Sequence, residues 1–193
     1  MTARDEWGEY SKYHARGIPG AQALAAELDR IVRETGIRSP VTTRRGLRAR
    51  LHYLDSPAGR NALKNAGVRP ATLRRWQTGT ASPSRRSRER IEEAYRNLRS
   101  HNMLRSGALT KRLNQAGAGT RLEIYPVDQT AVRTPHRRDV QQRSIRVLDW
   151  HNIVAAWDAG DTTRLEAEWD DIITDLGSEY DAYAYVSGVG IAA

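Results

Sequence analysis

From Gly20 to about residue 105 the apolar positions recur three and four apart, and beyond Gly119 they begin to alternate with polar ones. The first spacing marks amphipathic helices and the second half-buried strands, so the pattern predicts an α+β chain with its helices first. Residues 1–19 show little periodicity and read as a flexible arm. Gly20 to Glu34 puts Leu24, Leu28, Ile31 and Val32 on one face and stops at Gly36, as a helix does. Ser39-Pro40 breaks the chain. Thr42 is positioned to cap a helix carrying Leu47, Leu51 and Leu54, with Arg45, Arg48 and Arg50 on its opposite face. A later helix, with Pro83 at its first position, runs to about Arg99 and turns Ile91, Tyr95 and Leu98 inward.

Between these lies the stretch that organises the rest. Ser56 is a hydroxyl N-cap followed by Pro57, and a short helix through Leu63 ends at Gly67, which supplies a left-handed turn. Pro70 opens a second helix in which Leu73 and Trp76 face inward while Thr72, Arg74 and Arg75 stay outside, and Gly79 closes it. Two short helices across a glycine turn, the second one basic, match a helix-turn-helix whose second helix enters the major groove.

Beyond a linker at 106–119, Thr120 to Val127 and Ser144 to Trp150 read as strands, followed by a short helix over Asn152 to Asp158. Asp161 caps a helix carrying Leu165, Trp169, Ile172, Ile173 and Leu176, and Tyr180 to Ile191 alternates again. The predicted organisation is a helical helix-turn-helix domain over 20–105 and a small β-β-α-α-β module over 120–193.

Charge separates the two. Residues 41–112 hold eighteen basic and four acidic side chains, net +14, whereas 148–193 hold Arg164 against ten acids, net −9. A basic block around a helix-turn-helix is the footprint of a polyanion, here DNA. Arg69, Thr72, Arg74 and Arg75 are the candidate base or backbone contacts, and Arg85, Arg86 and Arg88 the candidate phosphate contacts. Arginine, with its planar fork, suits phosphate better than lysine does. The chain has no cysteine, which removes disulfides and thiolate chemistry. It has no membrane-length apolar run and no secretion signal, so a cytoplasmic, nucleoid-associated protein is expected. The five histidines have no metal-ligand spacing, Asp170-Asp171 and Asp158/Asp161 read as surface and capping acids, and Gly117-Ala118-Gly119 lacks the lysine of a phosphate loop. The sequence therefore predicts neither an intrinsic cofactor nor a metal site.

The polar, basic connection over 128–143 offers hydroxyls instead. Thr134 precedes Pro135, which favours an extended, accessible backbone, and Arg133, Arg137 and Arg138 surround it.

The run Gly67–Gly79, followed by Arg88-Glu89-Arg90-Ile91-Glu92-Glu93-Ala94-Tyr95-Arg96, resembles the DNA-binding half of the telomere terminal proteins (Tpg type) of linear actinobacterial chromosomes and plasmids. The likeness extends over about 42–185, through Thr120-Arg121, Arg143 to Leu148 and Trp157-Asp158-Ala159-Gly160-Asp161 within Val154 to Tyr180. The acidic C-terminal end is shorter than the family's, and the inter-strand segment is richer in arginine. The resemblance implies a protein primer. A threonine between the two strands accepts the first deoxynucleotide, a partner DNA polymerase with its Mg²⁺ extends it, and the protein stays covalently attached to the 5′ end. Thr134 is the nearest match by spacing, with Thr130 and Tyr125 as alternatives. The implied partners are telomeric DNA ends, the polymerase and a telomere-binding protein, and the chain itself is not an enzyme. A transcriptional or plasmid-copy regulator using the same helix-turn-helix, as a homodimer on a palindrome, is the second expectation, and a nuclease the third.

Overall fold

The computed structural model describes residues 11–177 and 182–192. In chain order the elements are β1 (Ile18–Pro19), α1 (Gly20–Glu34), α2 (Arg44–Tyr53), α3 (Pro57–Asn65), α4 (Pro70–Gln77), α5 (Arg85–Arg105), α6 (Ala108–Asn114), β2 (Thr120–Pro126), β3 (Arg143–Val147), α7 (His151–Ala159), α8 (Thr162–Thr174) and β4 (Tyr185–Ile191). The protein is α+β. It divides into two compact units, a continuous one over 32–107 and one that joins the residues up to 31 with those from 108 onward.

In the continuous unit, side-chain caps start α2, α3 and α5, whereas α4 starts at Pro70 without one. The Ser56 hydroxyl accepts from Gly59 N at 3.0 Å, with Pro57 following where its missing N–H is harmless. The cap of α2 is Thr43, one residue later than the sequence suggests, and its hydroxyl also donates to Pro40 O. The cap of α5 is Ser84 rather than the residue before Pro83, and α5 runs on to Arg105. The α3–α4 turn is a Schellman motif. Val68 N donates to Leu63 O and Gly67 N to Lys64 O, both at 2.9 Å, with Gly67 at φ 76°. Leu63 and Val68, the apolar pair such a turn brings together, are both buried. They join a core of Leu51, Leu54, Leu73, Ile91, Ala94, Tyr95 and Leu98.

Arg50 corrects the outer face drawn for α2. Arg45 and Arg48 are exposed, but Arg50 is only 4% exposed. Gly46 packs its bare Cα against the Pro40 carbonyl, so the non-helical Ile37–Pro40 segment lies along α2 with carbonyls in need of donors. Arg50 supplies them, to Ser39 O at 2.7 Å, Gly46 O at 3.0 Å and Ile37 O at 3.3 Å. Its Nε ion-pairs with Glu92, and its guanidinium lies 5.2 Å from the Tyr95 ring centroid.

The other unit is a four-stranded antiparallel sheet in the order β1-β4-β2-β3. Leu122 pairs with Ile145 on one side and Ile191 on the other, and the β2–β4 register shifts at Tyr125/Pro126, where proline cannot donate to the ladder. α8 starts on the Asp161 carboxylate, which accepts from Arg164 N at 3.0 Å. Trp150, Trp169 and Tyr183 fill the core with their polar atoms matched. Trp150 Nε1 donates to Val147 O, Trp169 Nε1 to Tyr183 O, and the Tyr183 hydroxyl to Gln141 O at 2.7 Å.

Three boundaries differ from those drawn from the sequence. Residues 11–19 are tied into the sheet unit: Ala15 is buried, Arg16 and Asp128 exchange backbone hydrogen bonds at 2.9 and 2.8 Å, and Ile18–Pro19 pairs with β4. Residues 1–10, the rest of the predicted arm, lie outside the described residues, as does Tyr180. α1 up to Ile31 also belongs to the sheet unit. Gly20 N donates to Ala184 O, the Trp169 ring occupies the space a Gly20 side chain would need, and the buried Glu27 carboxylate accepts from Ile191 N at 2.9 Å. Finally, the segment drawn as a linker, where the spacing of Leu104, Leu109 and Leu113 allows a short helix, holds α6, whose Leu109 and Leu113 are fully buried.

Candidate nucleic-acid interface

α4 buries Leu73 and leaves Arg74 and Arg75 exposed on its outer side; Arg69, at its N-cap, is exposed and Thr72 half-buried. Arg74 lines a small cavity of about 220 Å³ with Arg60, Pro70 and Gln77. A larger cleft of about 890 Å³ opens within the same unit. Its walls include Thr43, Arg44 and Arg48 from the start of α2, Trp76 and Gln77 from α4, the Thr78–Gly79 turn, and Arg88 from α5. Trp76, read from sequence as core, is half-buried, packing against the core and lining the cleft as well. Arg44 and the cleft itself escaped the sequence reading. The available signal was Thr-Thr-Arg-Arg at a helix start, where a hydroxyl cap precedes a basic first turn.

The three α5 arginines are not equivalent. Arg85 and Arg86 are exposed, and Arg85 Nε sits 3.2 Å from Glu89, an ion pair in open solvent that contributes little. Arg88 is half-buried, and its Nε is a buried donor with no hydrogen-bond partner among the described groups. A buried unsatisfied donor costs about 1–3 kcal/mol. Arg90 is spent on the fold, donating to the Gly67 carbonyl at the α3–α4 turn at 3.3 Å.

In the sheet unit, the β2–β3 connection is held at several points. Val132 is buried, Arg137 Nε donates to Val132 O at 2.7 Å, and Gln129 exchanges bonds with the Arg138 backbone at 2.7 and 3.0 Å. Thr134 is exposed as expected, but it opens a 3₁₀ turn over Thr134–His136 instead of the extended backbone that Pro135 favours, and the extended residue is Arg133. Thr130 is exposed as well, and its N–H donates to Asp128 Oδ1 at 2.9 Å. The Thr130 N–H, then the Thr130 hydroxyl, and more weakly the nearby Arg16 charge hold the Asp128 carboxyl below its usual range. A carboxylate beside one of the two hydroxyls was overlooked, although Asp128-Gln129-Thr130 has the spacing of an Asx turn. Tyr125, on β2, is 41% exposed. Thr134, Thr130 and Tyr125 thus all fall in the sheet unit, within β2 and the connection that follows it, and the seven DNA-contact candidates fall in the helical unit.

Among the described residues, no three His, Asp or Glu are grouped to hold a metal ion, and no helix is long and apolar enough to cross a membrane. No protein-family model, curated protein or solved structure matches the chain.

Proposed function

We propose that α3 and α4 form a helix-turn-helix that binds duplex DNA, and that the protein acts as a terminal protein of the type its sequence resembles. The observation carrying the DNA reading is the outer side of α4. Leu73 anchors the helix in the core while Arg69, Arg74 and Arg75 face solvent, in a unit whose basic excess lies outside the core. Arg88 and Arg44, facing a common cleft, support a backbone contact beside it. The primer role draws support from two exposed threonines in a braced, basic connection. In that role a threonine oxygen attacks the α-phosphorus of a deoxynucleoside triphosphate. A P–O bond to the protein forms, pyrophosphate leaves, and the hydroxyl proton passes to a base. The polymerase supplies Mg²⁺ and stabilises the developing charge.

Binding is tested by fluorescence anisotropy on a terminal duplex across a salt series. Arg74→Ala with Arg75→Ala should weaken binding and flatten the log–log salt slope by about 0.9 for each phosphate that is no longer neutralised. Unchanged affinity and slope rule out α4 as the element that meets DNA. Priming is tested by incubating the protein with labelled deoxynucleotide, Mg²⁺, template and polymerase. Alkali-sensitive label that vanishes in Thr134→Val and survives in Thr130→Val assigns Thr134, and the reverse assigns Thr130. No label, with tight binding to an internal operator, replaces the primer role with that of a regulator.

A further inference from the structure

We propose that the β2–β3 connection of the sheet unit carries a second nucleic-acid surface, one made for unpaired bases: a base stacks on the exposed Tyr13–His136 ring pair, and Arg133 takes the neighbouring phosphate. The nucleic-acid reading above supplies the polymer class and nothing else.

The two rings come from distant parts of the chain and lie 4.1 Å apart between centroids at 21°, a parallel stack. Tyr13 is 41% exposed, and His136 is also exposed. The inner faces cover each other, and both residues keep part of their surface open to solvent on a braced support. On one side the Arg16–Asp128 backbone pair fixes the chain three residues after Tyr13. On the other, the buried Val132 and the Arg137 bond to its carbonyl fix the turn that carries His136. The platform is therefore preorganised, which lowers the ordering cost of binding.

Charge points the same way. Residues 148–193 of this unit are net −9 and repel polyanions, whereas residues 128–138 carry Arg133, Arg137 and Arg138 against Asp128, net +2. Arg137 is used as a brace, and Arg133 is exposed next to the turn. Aromatic faces beside arginine are the pairing by which proteins hold unstacked bases and their phosphates. A duplex hides its base faces in the stack, so the ligand is a single strand.

The experiment uses the full chain and a fluorescent oligothymidylate of about 12 nucleotides, which cannot pair with itself and fits the site sizes of such surfaces. Tyr13→Ala and His136→Ala should each weaken its binding about five- to a hundredfold, since stacking carries that much per base. Tyr13→Phe should bind like the wild type because the ring face is kept. Arg133→Ala should reduce the salt slope by about 0.7. None of these should change affinity for duplex, and Arg74→Ala with Arg75→Ala should spare the oligothymidylate. The proposal is overturned by wild-type protein that does not bind oligothymidylate, by undiminished binding in both ring variants, or by loss in Tyr13→Phe equal to that in Tyr13→Ala. It is overturned too if the α4 double variant alone abolishes single-strand binding. Duplex binding indifferent to the α4 variant, with oligothymidylate binding still weakened in both ring variants, would sink the helix-turn-helix reading and leave this one standing.

Discussion

Replacing Arg50 by alanine separates arginines that hold the fold from arginines that meet a ligand. The change removes the donors to Ser39, Gly46 and Ile37 carbonyls and strips Glu92 of its inner partner. The Glu92 side chain is 17% exposed and, among the described residues, retains Arg96, whose Nε lies 2.9 Å away on the solvent side. Breaking a buried pair by deleting one partner costs about 3–5 kcal/mol, and the surviving Arg96 bond argues for the lower end, about 3. Domains of the size of the 32–107 unit are stable by only about 4–11 kcal/mol. At about 4–8 °C for each kcal/mol, the midpoint should fall by about 12–24 °C. Trp76 is the sole tryptophan between residues 32 and 107, so 5-fluorotryptophan labelling with ¹⁹F NMR follows this unit by itself, Trp76→Phe assigning its resonance. Arg50→Met paired with Glu92→Leu should regain most of the loss, because a well-packed apolar pair substitutes for a buried ionic one. The α4 double variant should melt like the wild type. An Arg50→Ala midpoint within about 1 kcal/mol of wild type in urea, with an unchanged m-value, would refute the role given to this side chain.

Glu27 makes stability depend on pH. Burial raises its pKa, but the Arg30 bonds, the Ile191 N–H and the Arg30 charge together outweigh that and hold the carboxyl below its ordinary value. A folded pKa lower than the unfolded one gives stability that is present above the unfolded value and lost as pH falls through the folded one. Glu27→Gln should thus lower the sheet unit's stability by about 1–3 kcal/mol at neutral pH and narrow to nothing against wild type in acid, as urea melts at stepped pH will show. Gly46→Ala would drive a Cβ to 2.0 Å from the Pro40 carbonyl oxygen, a backbone clash that should destabilise the helical unit by more than about 2 kcal/mol. Gly79→Ala meets nothing within 4 Å and should lose only the about 1–2 kcal/mol of its left-handed backbone, and thermal melts should rank the two in that order.

Local signals were legible where a single residue decides the geometry. Ser56-Pro57, Gly67, Pro70 and Asp161 each announce an element boundary through capping or backbone restriction, and the structure starts or stops helices there. The alternation in Thr120 to Pro126 was readable for the same reason, since period two needs no distant partner to be seen. What failed depended on partners far along the chain. Arg50 looks like its neighbours Arg45 and Arg48 on a helical wheel, and only the bend at Ser39-Pro40 turns carbonyls toward it. The stretch around Ala15 and Ile18 has no period of its own because it borrows order from Asp128 and β4. At the candidate sites the exposed α4 arginines could be read from spacing alone. The Tyr13–His136 stack could not, for nothing in either local sequence names the other ring.

The interrupted path of the sheet unit imposes an order on synthesis. A ribosome delivers β1 and α1 early, yet Gly20 waits for Ala184, and Glu27 for Ile191, which lies 164 residues further on. The 32–107 segment is continuous and makes its own contacts, so it can close while the rest of the chain is still being made. For that interval α1 carries Leu24, Leu28 and the carboxylate of Glu27 without their final surroundings, and long-range pairing of this kind closes slowly. Nascent chains halted before β4 should therefore show a protease-resistant helical core beside a cleavable α1, and a chaperone that holds apolar helices would find its substrate there.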